Sequence, residues 1–97
     1  MLTGKQKRFL RGLGHSLKPV VRVGKNELND ALAEETGTAL ATHELIKVKL
    51  LESCEMERHE VAGKLAKAAD AEVAQILGRT ILLYRRGETP KIELPKQ

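Results

Sequence analysis

The sequence predicts a mixed helix-and-strand domain, α/β or α+β, with its elements in the order αβαβαββ. Three observations carry that reading. The apolar spacing switches repeatedly between a helical period near 3.6 and a strand period of 2. The breaks between patterns are short and fall at Gly12 and Gly14, at Gly24 and at Gly78. Ile81-Leu82-Leu83 is apolar on both faces, as a central strand should be.

The first helix is expected over residues 3–13. Thr3-x-x-Gln6 fits a capping box, in which the hydroxyl takes an orphan N–H and the glutamine reaches back. Leu2, Phe9, Leu10 and Leu13 fall within roughly one 100° sector of the helical wheel and are expected to face the core. Lys5, Lys7, Arg8 and Arg11 spread around the opposite side. Gly12 and Gly14 weaken the helix and offer left-handed termini. Pro19 opens the strand Val20-Val21-Arg22-Val23, compatible with a sheet edge. Gly24-Lys25-Asn26-Glu27 forms a tight turn into a second helix, capped by Asn29 and reaching about Thr42, with Leu32, Ala39 and Leu40 inward. Gly37 costs that helix roughly 1 kcal/mol relative to Ala, so packing must hold it. In residues 44–51, Ile46, Val48 and Leu50 alternate with Lys47 and Lys49, the pattern of a half-exposed strand. Ser53 is expected to cap the third helix, with Glu55 and Glu57 in its first turn and Val61, Ala62, Leu65, Ala68 and Ala69 as its apolar stripe. Residues 73–77 and 80–85 read as strands around Gly78-Arg79, the Gly-X chemistry of a type II′ hairpin. Residues 88–97 are expected to form a partly extended tail.

Ninety-seven residues suit one domain, residues 1–97, with enough burial for a core that needs no disulfide or metal. Hydrophobic content of 41% and mean hydropathy of −0.32 argue for a soluble globular chain rather than a disordered one. No apolar run approaches the roughly 20 residues of a membrane span. The basic start is not followed by an apolar stretch, so a secretory signal is not expected. The single cysteine, Cys54, cannot form an internal disulfide and suits a reducing cytoplasm.

Net charge is +4, but its distribution is uneven. Residues 1–25 carry +7, from Lys5, Lys7, Arg8, Arg11, Lys18, Arg22 and Lys25, with no Asp or Glu among them. Residues 26–77 carry −6 and residues 78–97 carry +3. Segregation of this kind gives a fold one positive side, fit for a polyanion. A glycine turn feeding a helix N-terminus turns free N–H groups and the positive dipole end toward an anion. Gly24 lacks a Cβ that would hold a phosphate off, and Lys25 and Asn26 add a charge and an amide donor. Phe9 and Tyr84 are the only aromatics and lie in apolar patterns that point to the core. Base stacking on exposed aromatics is therefore not expected; recognition should run through phosphate, sugar and shape.

Catalytic and metal chemistry find little support. Cys54 and His59 lie five apart, with His15 and His43 elsewhere, and none of these spacings matches a zinc pattern. A thiol beside a helix start can be activated, but Cys54 reads more simply as a small buried filler. The residues offer no nucleophile–base pair beyond Cys54 and His59, and no cofactor or enzymatic activity is expected.

The segments KQKRFLRGLGHSLKPVVRVGKNEL, HELIKVKL and GRTILLYRR resemble the bacterial YhbY family, the stand-alone form of the CRM RNA-binding domain. The resemblance runs from Leu2 to about Pro95. It implies a two-layer α+β fold similar to the C-terminal domain of bacterial translation initiation factor three, with a four-stranded mixed sheet whose last strand opposes the others. An additional N-terminal helix is implied as well. The implied role is association with the precursor of the large ribosomal subunit and participation in its assembly. The family's GxxG loop, reminiscent of the backbone-clamping loop of KH domains, falls on Gly24-Lys25-Asn26-Glu27, with glutamate in place of the second glycine. Gly24, Lys25 and Asn26 carry over from that motif.

The expectation is thus a cytoplasmic, monomeric RNA-binding protein without enzymatic activity, small-molecule substrate or membrane contact. Lys5, Lys7, Arg8, Arg11, Lys18, Arg22, Gly24, Lys25 and Asn26 would contact RNA. Arg79 and Arg85 are secondary candidates. The competing reading is a protein–protein adaptor that meets a basic partner through Glu34, Glu35, Glu57 and Glu60.

Overall fold

In the computed structural model, which describes residues 2–25 and 28–96, the chain runs α1 (Gly4–Gly14), β1 (Pro19–Val23), α2 (Asp30–His43), β2 (Leu45–Leu50), α3 (Arg58–Ala68), β3 (Glu72–Leu77) and β4 (Thr80–Tyr84). The strands form one sheet in the order β1-β2-β4-β3. β1 and β2 are parallel, and β4 runs antiparallel to both β2 and β3. The αβαβαββ order and the mixed sheet with an opposed last strand are as expected. The apolar β4 is central and β1, opened by Pro19, lies at an edge.

Strand alternation sends side chains to two separate cores. Val21, Val23, Ile46, Val48, Leu50, Ile81 and Leu83 meet Leu32 and Leu40 of α2 and Val61, Ala62 and Leu65 of α3. On the other face Leu45, Ala74, Leu82 and Tyr84 meet Leu2 and Leu10, joined at the margin by Leu17 and by Ile92 and Leu94 of the tail. The sheet and the α2/α3 layer thus make the main core, and α1 with the tail covers part of the reverse face.

Local signals explain most helix ends. Thr3 caps α1 in a complete capping box with Gln6, and the Asn29 side chain accepts from Leu32 N–H at 2.8 Å at the start of α2. Gly78 has φ of +59° at the first central position of the β3–β4 turn and Arg79 does not share it, as a II′ turn requires. Three expectations need correction. Phe9 and Leu13 do not enter the core: they are 38% and 41% exposed. The reason is Gly14, whose missing Cβ would lie 2.8 Å from Leu82 Cδ1. The helix is seated on a Leu10–Gly14 line, which leaves Phe9 and Leu13 on its flank. Ser53 does not cap α3 either; Glu57 does, accepting from Glu60 N–H. Ala66 is buried there, whereas Ala68 is exposed.

The segment before α3 is held from a distance. Arg79 donates to the carbonyls of Leu50, Leu51 and Cys54, pinning residues 50–54 to the hairpin. Arg85 donates to Ala69 O at 2.7 Å and Gly37 O at 2.8 Å, tying α2 to the end of α3. Both arginines are structural ties. Gly37 is thereby explained in part, since Arg85 lies along it, but a Cβ there would meet only Arg85 Nη1 at 3.8 Å. A Cβ at Gly63, exposed in α3, would meet nothing within 4 Å. Gly63→Ala should therefore stabilise the protein by about 0.5–1 kcal/mol, a rise of a few degrees in Tm by thermal melt.

Among the described residues Glu44 is the one buried carboxylate, 2% exposed, and its backbone sits at φ +62° and ψ −35°. It accepts N–H bonds from Gly87 and Lys91 at 2.7 Å each and from Ile92 at 2.9 Å. Burial would raise its pKa, but these three amides and the Lys91 charge outweigh that and hold it below the ordinary carboxylate value. The same burial, and the charge of Glu44, push the Tyr84 phenol upward. At the far end of the tail, Gln6 Nε2 donates to Pro95 O at 3.1 Å.

Candidate nucleic-acid interface

The reverse face of the sheet is only half covered by α1 and the tail. Its open half is built by the strands that bury Val21, Val23, Val48 and Leu50 on the other side, which forces Arg22, Lys47 and Lys49 outward here. Arg22 of β1 is the register partner of Lys49 of β2, Lys49 of Thr80 in β4, and Thr80 of Leu77 in β3. The next row runs from Lys47 to Leu82 to Gln75. Neighbouring strands lie about 4.8 Å apart, so Arg22 and Lys49 are like charges side by side, an arrangement that destabilises a sheet. Among the described residues no carboxylate bonds to either, nor to Lys47. Ion pairs among the described residues lie elsewhere, as His59–Glu57 and Lys64–Glu60 do at α3.

The expected site residues distribute unevenly around this face. Arg22, Gly24 and Lys25 line one hollow of about 370 Å³ with Asn29, Ala31, Leu32 and Glu35. Asn29 caps Leu32 N–H and its carbonyl accepts from Ala33, so the amides of Asp30 and Ala31 lie outside the helical ladder. Gly24 is small for an internal reason too: a Cβ there would stand 3.3 Å from Ser53 Oγ and 3.6 Å from Leu51 Cδ1. Asn26, and Glu27 beside it, lie outside the described residues. Arg11 reaches the sheet, lining a groove of about 270 Å³ with Gly14, His15, Lys47, Gln75, Leu77, Thr80 and Leu82. Lys18 stands at the opposite end of β1 from Gly24, roughly 20 Å away for a strand of this length. Lys5, Lys7 and Arg8 are exposed on α1. Lys7 shares the Arg11 flank of the wheel, whereas Lys5 and Arg8 lie across it from Leu10.

The cations therefore form a track from Lys25 through Arg22, Lys49 and Lys47 to Arg11, with Lys5 and Arg8 off its line. Sequence reasoning missed Lys47 and Lys49 as members. The signal was present, since the solvent side of residues 45–50 offers cations and no acid. Glu34, Glu57 and Glu60 are exposed on or beside α2 and α3, behind the main core, while Glu35 of α2 borders the hollow at Gly24. The Cys54 thiol is buried against Met56 O at 3.8 Å, four residues ahead of α3, while His59 is exposed and bonded to Glu57 at 2.7 Å.

A family model, the CRS1 / YhbY (CRM) domain, matches residues 2–85. The chain belongs to the CRM domain family. Full-length relatives include Probable RNA-binding protein YqeI of Bacillus subtilis, 46% identical over 96 residues, 98% of this chain and 100% of the relative. The RNA-binding protein of Haemophilus influenzae is 38% identical over 96 residues, 99% of this chain and 97% of the relative. The solution structure of the hypothetical protein SAV1595 from Staphylococcus aureus, described as a candidate RNA-binding protein, matches with TM-score 0.83 and 40% identity over 98% of this chain and 100% of that one. The CRM match holds the whole cationic track and Glu44, while the amides that Glu44 binds, Gly87, Lys91 and Ile92, follow its last matched residue.

Proposed function

We propose that this protein binds RNA in the precursor of the large ribosomal subunit and acts in assembly of that subunit, holding the phosphate backbone without chemistry of its own. It would do so as a cytoplasmic monomer. One observation carries the reading: adjacent strands hold Arg22 and Lys49 side by side, with no carboxylate partner among the described residues, and Lys47 and Arg11 continue the track. A sheet tolerates such repulsion when an outside anion relieves it. Membership of the CRM family, and curated full-length relatives named as RNA-binding proteins, support RNA as that anion.

If four to seven phosphates are engaged, log Kd against log salt should have a slope of about 3 to 6 units in magnitude, binding weakening as salt rises. Fluorescence anisotropy with a labelled ribosomal RNA fragment measures it, and a slope near zero would remove the reading. Crosslinking in cells then tests the assembly role: attachment to large-subunit RNA is expected. An adaptor working through the acidic α2/α3 side would keep its partner after RNase treatment, whereas this protein should be released.

A further inference from the structure

The groove between the end of α1 and the sheet differs from the other concavities in what lines it. Arg11 and His15 come from the helix side, Lys47, Gln75 and Thr80 from the strands, and Leu77 and Leu82 supply apolar wall. No carboxylate lines it; the hollow at Lys18 and His43 also lacks one but is walled mostly by apolar side chains, whereas the hollow at Gly24 includes Glu35 and the cavities under the tail include Glu72, Glu93, Glu44 or Glu88. The geometry has a local cause. Gly14 lets α1 press onto Leu82, and the register sets Gln75 beside Leu82 and Thr80 beside Lys49. Leu77 stands 67% exposed at the rim. A volume near 270 Å³ is below that of pockets for drug-sized ligands, and suits a single flat heterocycle.

We propose that this groove takes one unstacked nucleotide of the bound RNA, and so adds base recognition to the backbone contacts. The inference rests on the RNA-binding reading above. Guanidinium and imidazole planes are surfaces on which splayed bases stack, and Arg11 and His15 supply both in a groove that neither Phe9 nor Tyr84 lines. The Gln75 amide and Thr80 hydroxyl each offer donor and acceptor to a base edge. Lys47 stands where the attached phosphate joins the track. A paired base in an A-form helix cannot present its edge in this way, so the groove selects RNA with an unpaired position.

Anisotropy with two RNAs of equal phosphate number, a hairpin with an unpaired loop and a blunt duplex, tests the proposal. The protein should prefer the loop by about tenfold or more, as one stacked and hydrogen-bonded base allows. Gln75→Leu with Thr80→Val removes polar edges but no charge. That variant should bind the loop about tenfold more weakly and keep duplex affinity and salt slope. Equal binding of loop and duplex by the unaltered protein would overturn the groove while leaving the RNA reading intact; no binding of either RNA would overturn both. A second readout needs no variant. Photocrosslinking through a thiouridine in the loop should label the groove segments around residues 11–15 and 75–82, and labelling confined to other segments would overturn the proposal.

Discussion

Lys49→Glu should lower RNA affinity by about ten- to a hundredfold while leaving the fold as stable as before or slightly more so. The two halves of that result have one cause. Lys49 stands between Arg22 and Thr80 in a row across the sheet. Losing one charge-assisted phosphate contact and adding repulsion removes about 1.5–3 kcal/mol of binding, and 1.4 kcal/mol is tenfold. The new carboxylate would meanwhile face Arg22, turning a like-charge neighbour into an opposite pair worth about 0.2–1 kcal/mol to the sheet. Lys5→Glu makes the same change of charge on the far side of α1 and should cost binding less than about threefold at physiological salt, where the Debye length is about 8 Å. Anisotropy and thermal melts on the two variants decide the matter. Equal losses would mean that net charge, and not the sheet row, governs binding.

Glu44→Ala should have the largest effect on stability. The side chain closes three backbone N–H groups of the tail, at 2.7, 2.7 and 2.9 Å, from a residue whose own φ of +62° is unfavourable for a non-glycine. Removing the carboxylate leaves the strained backbone without what holds it, a loss of about 2–4 kcal/mol. Glu44→Gly loses the same bonds but accepts the positive φ, so it should be less damaging than the alanine variant. Because the folded carboxyl titrates below its ordinary value near 4.5, the stability it supplies is complete above that pH. It is lost as pH falls through the lower folded value. Urea unfolding should therefore show a wide gap between the unaltered protein and Glu44→Ala at neutral pH, and a narrowed one well below 4.5. A gap that does not change with pH would mean that the ionised carboxylate is not what secures the tail.

What was legible in the sequence was what neighbours in the chain decide. The Thr3–Gln6 box, the Asn29 cap, the alternation of residues 45–50 and the Gly78 turn all act within a few residues, and each appears where expected. The misses involve partners far along the chain. Ser53 looks like a cap until Arg79, 25 to 29 residues on, claims the carbonyls around it. Phe9 and Leu13 look like core until Leu82 decides which line of α1 is seated. Nothing near Glu44 in the chain marks it as buried, because its amide partners follow 43 to 48 residues later. For the candidate site, charge in the first 25 residues pointed to Arg22 and Arg11, which border the open face of the sheet. The alternation of residues 45–50 offered Lys47 and Lys49, but strand register sets Lys49 beside Arg22, and the seat of α1 on Leu82 turns Lys5 and Arg8 away.

The seat of α1 bears on how the chain comes to be folded. Leu10 shares its cluster with Leu45, Ala74, Leu82 and Tyr84, and Gln6 reaches Pro95, so most supports of α1 lie far later in the chain. Synthesis runs from the N-terminus, and contacts of such long separation form late. The helix is made before β3 and β4 and docks only after them. Through that interval it is a loose cationic segment beside the ribosome that produces it.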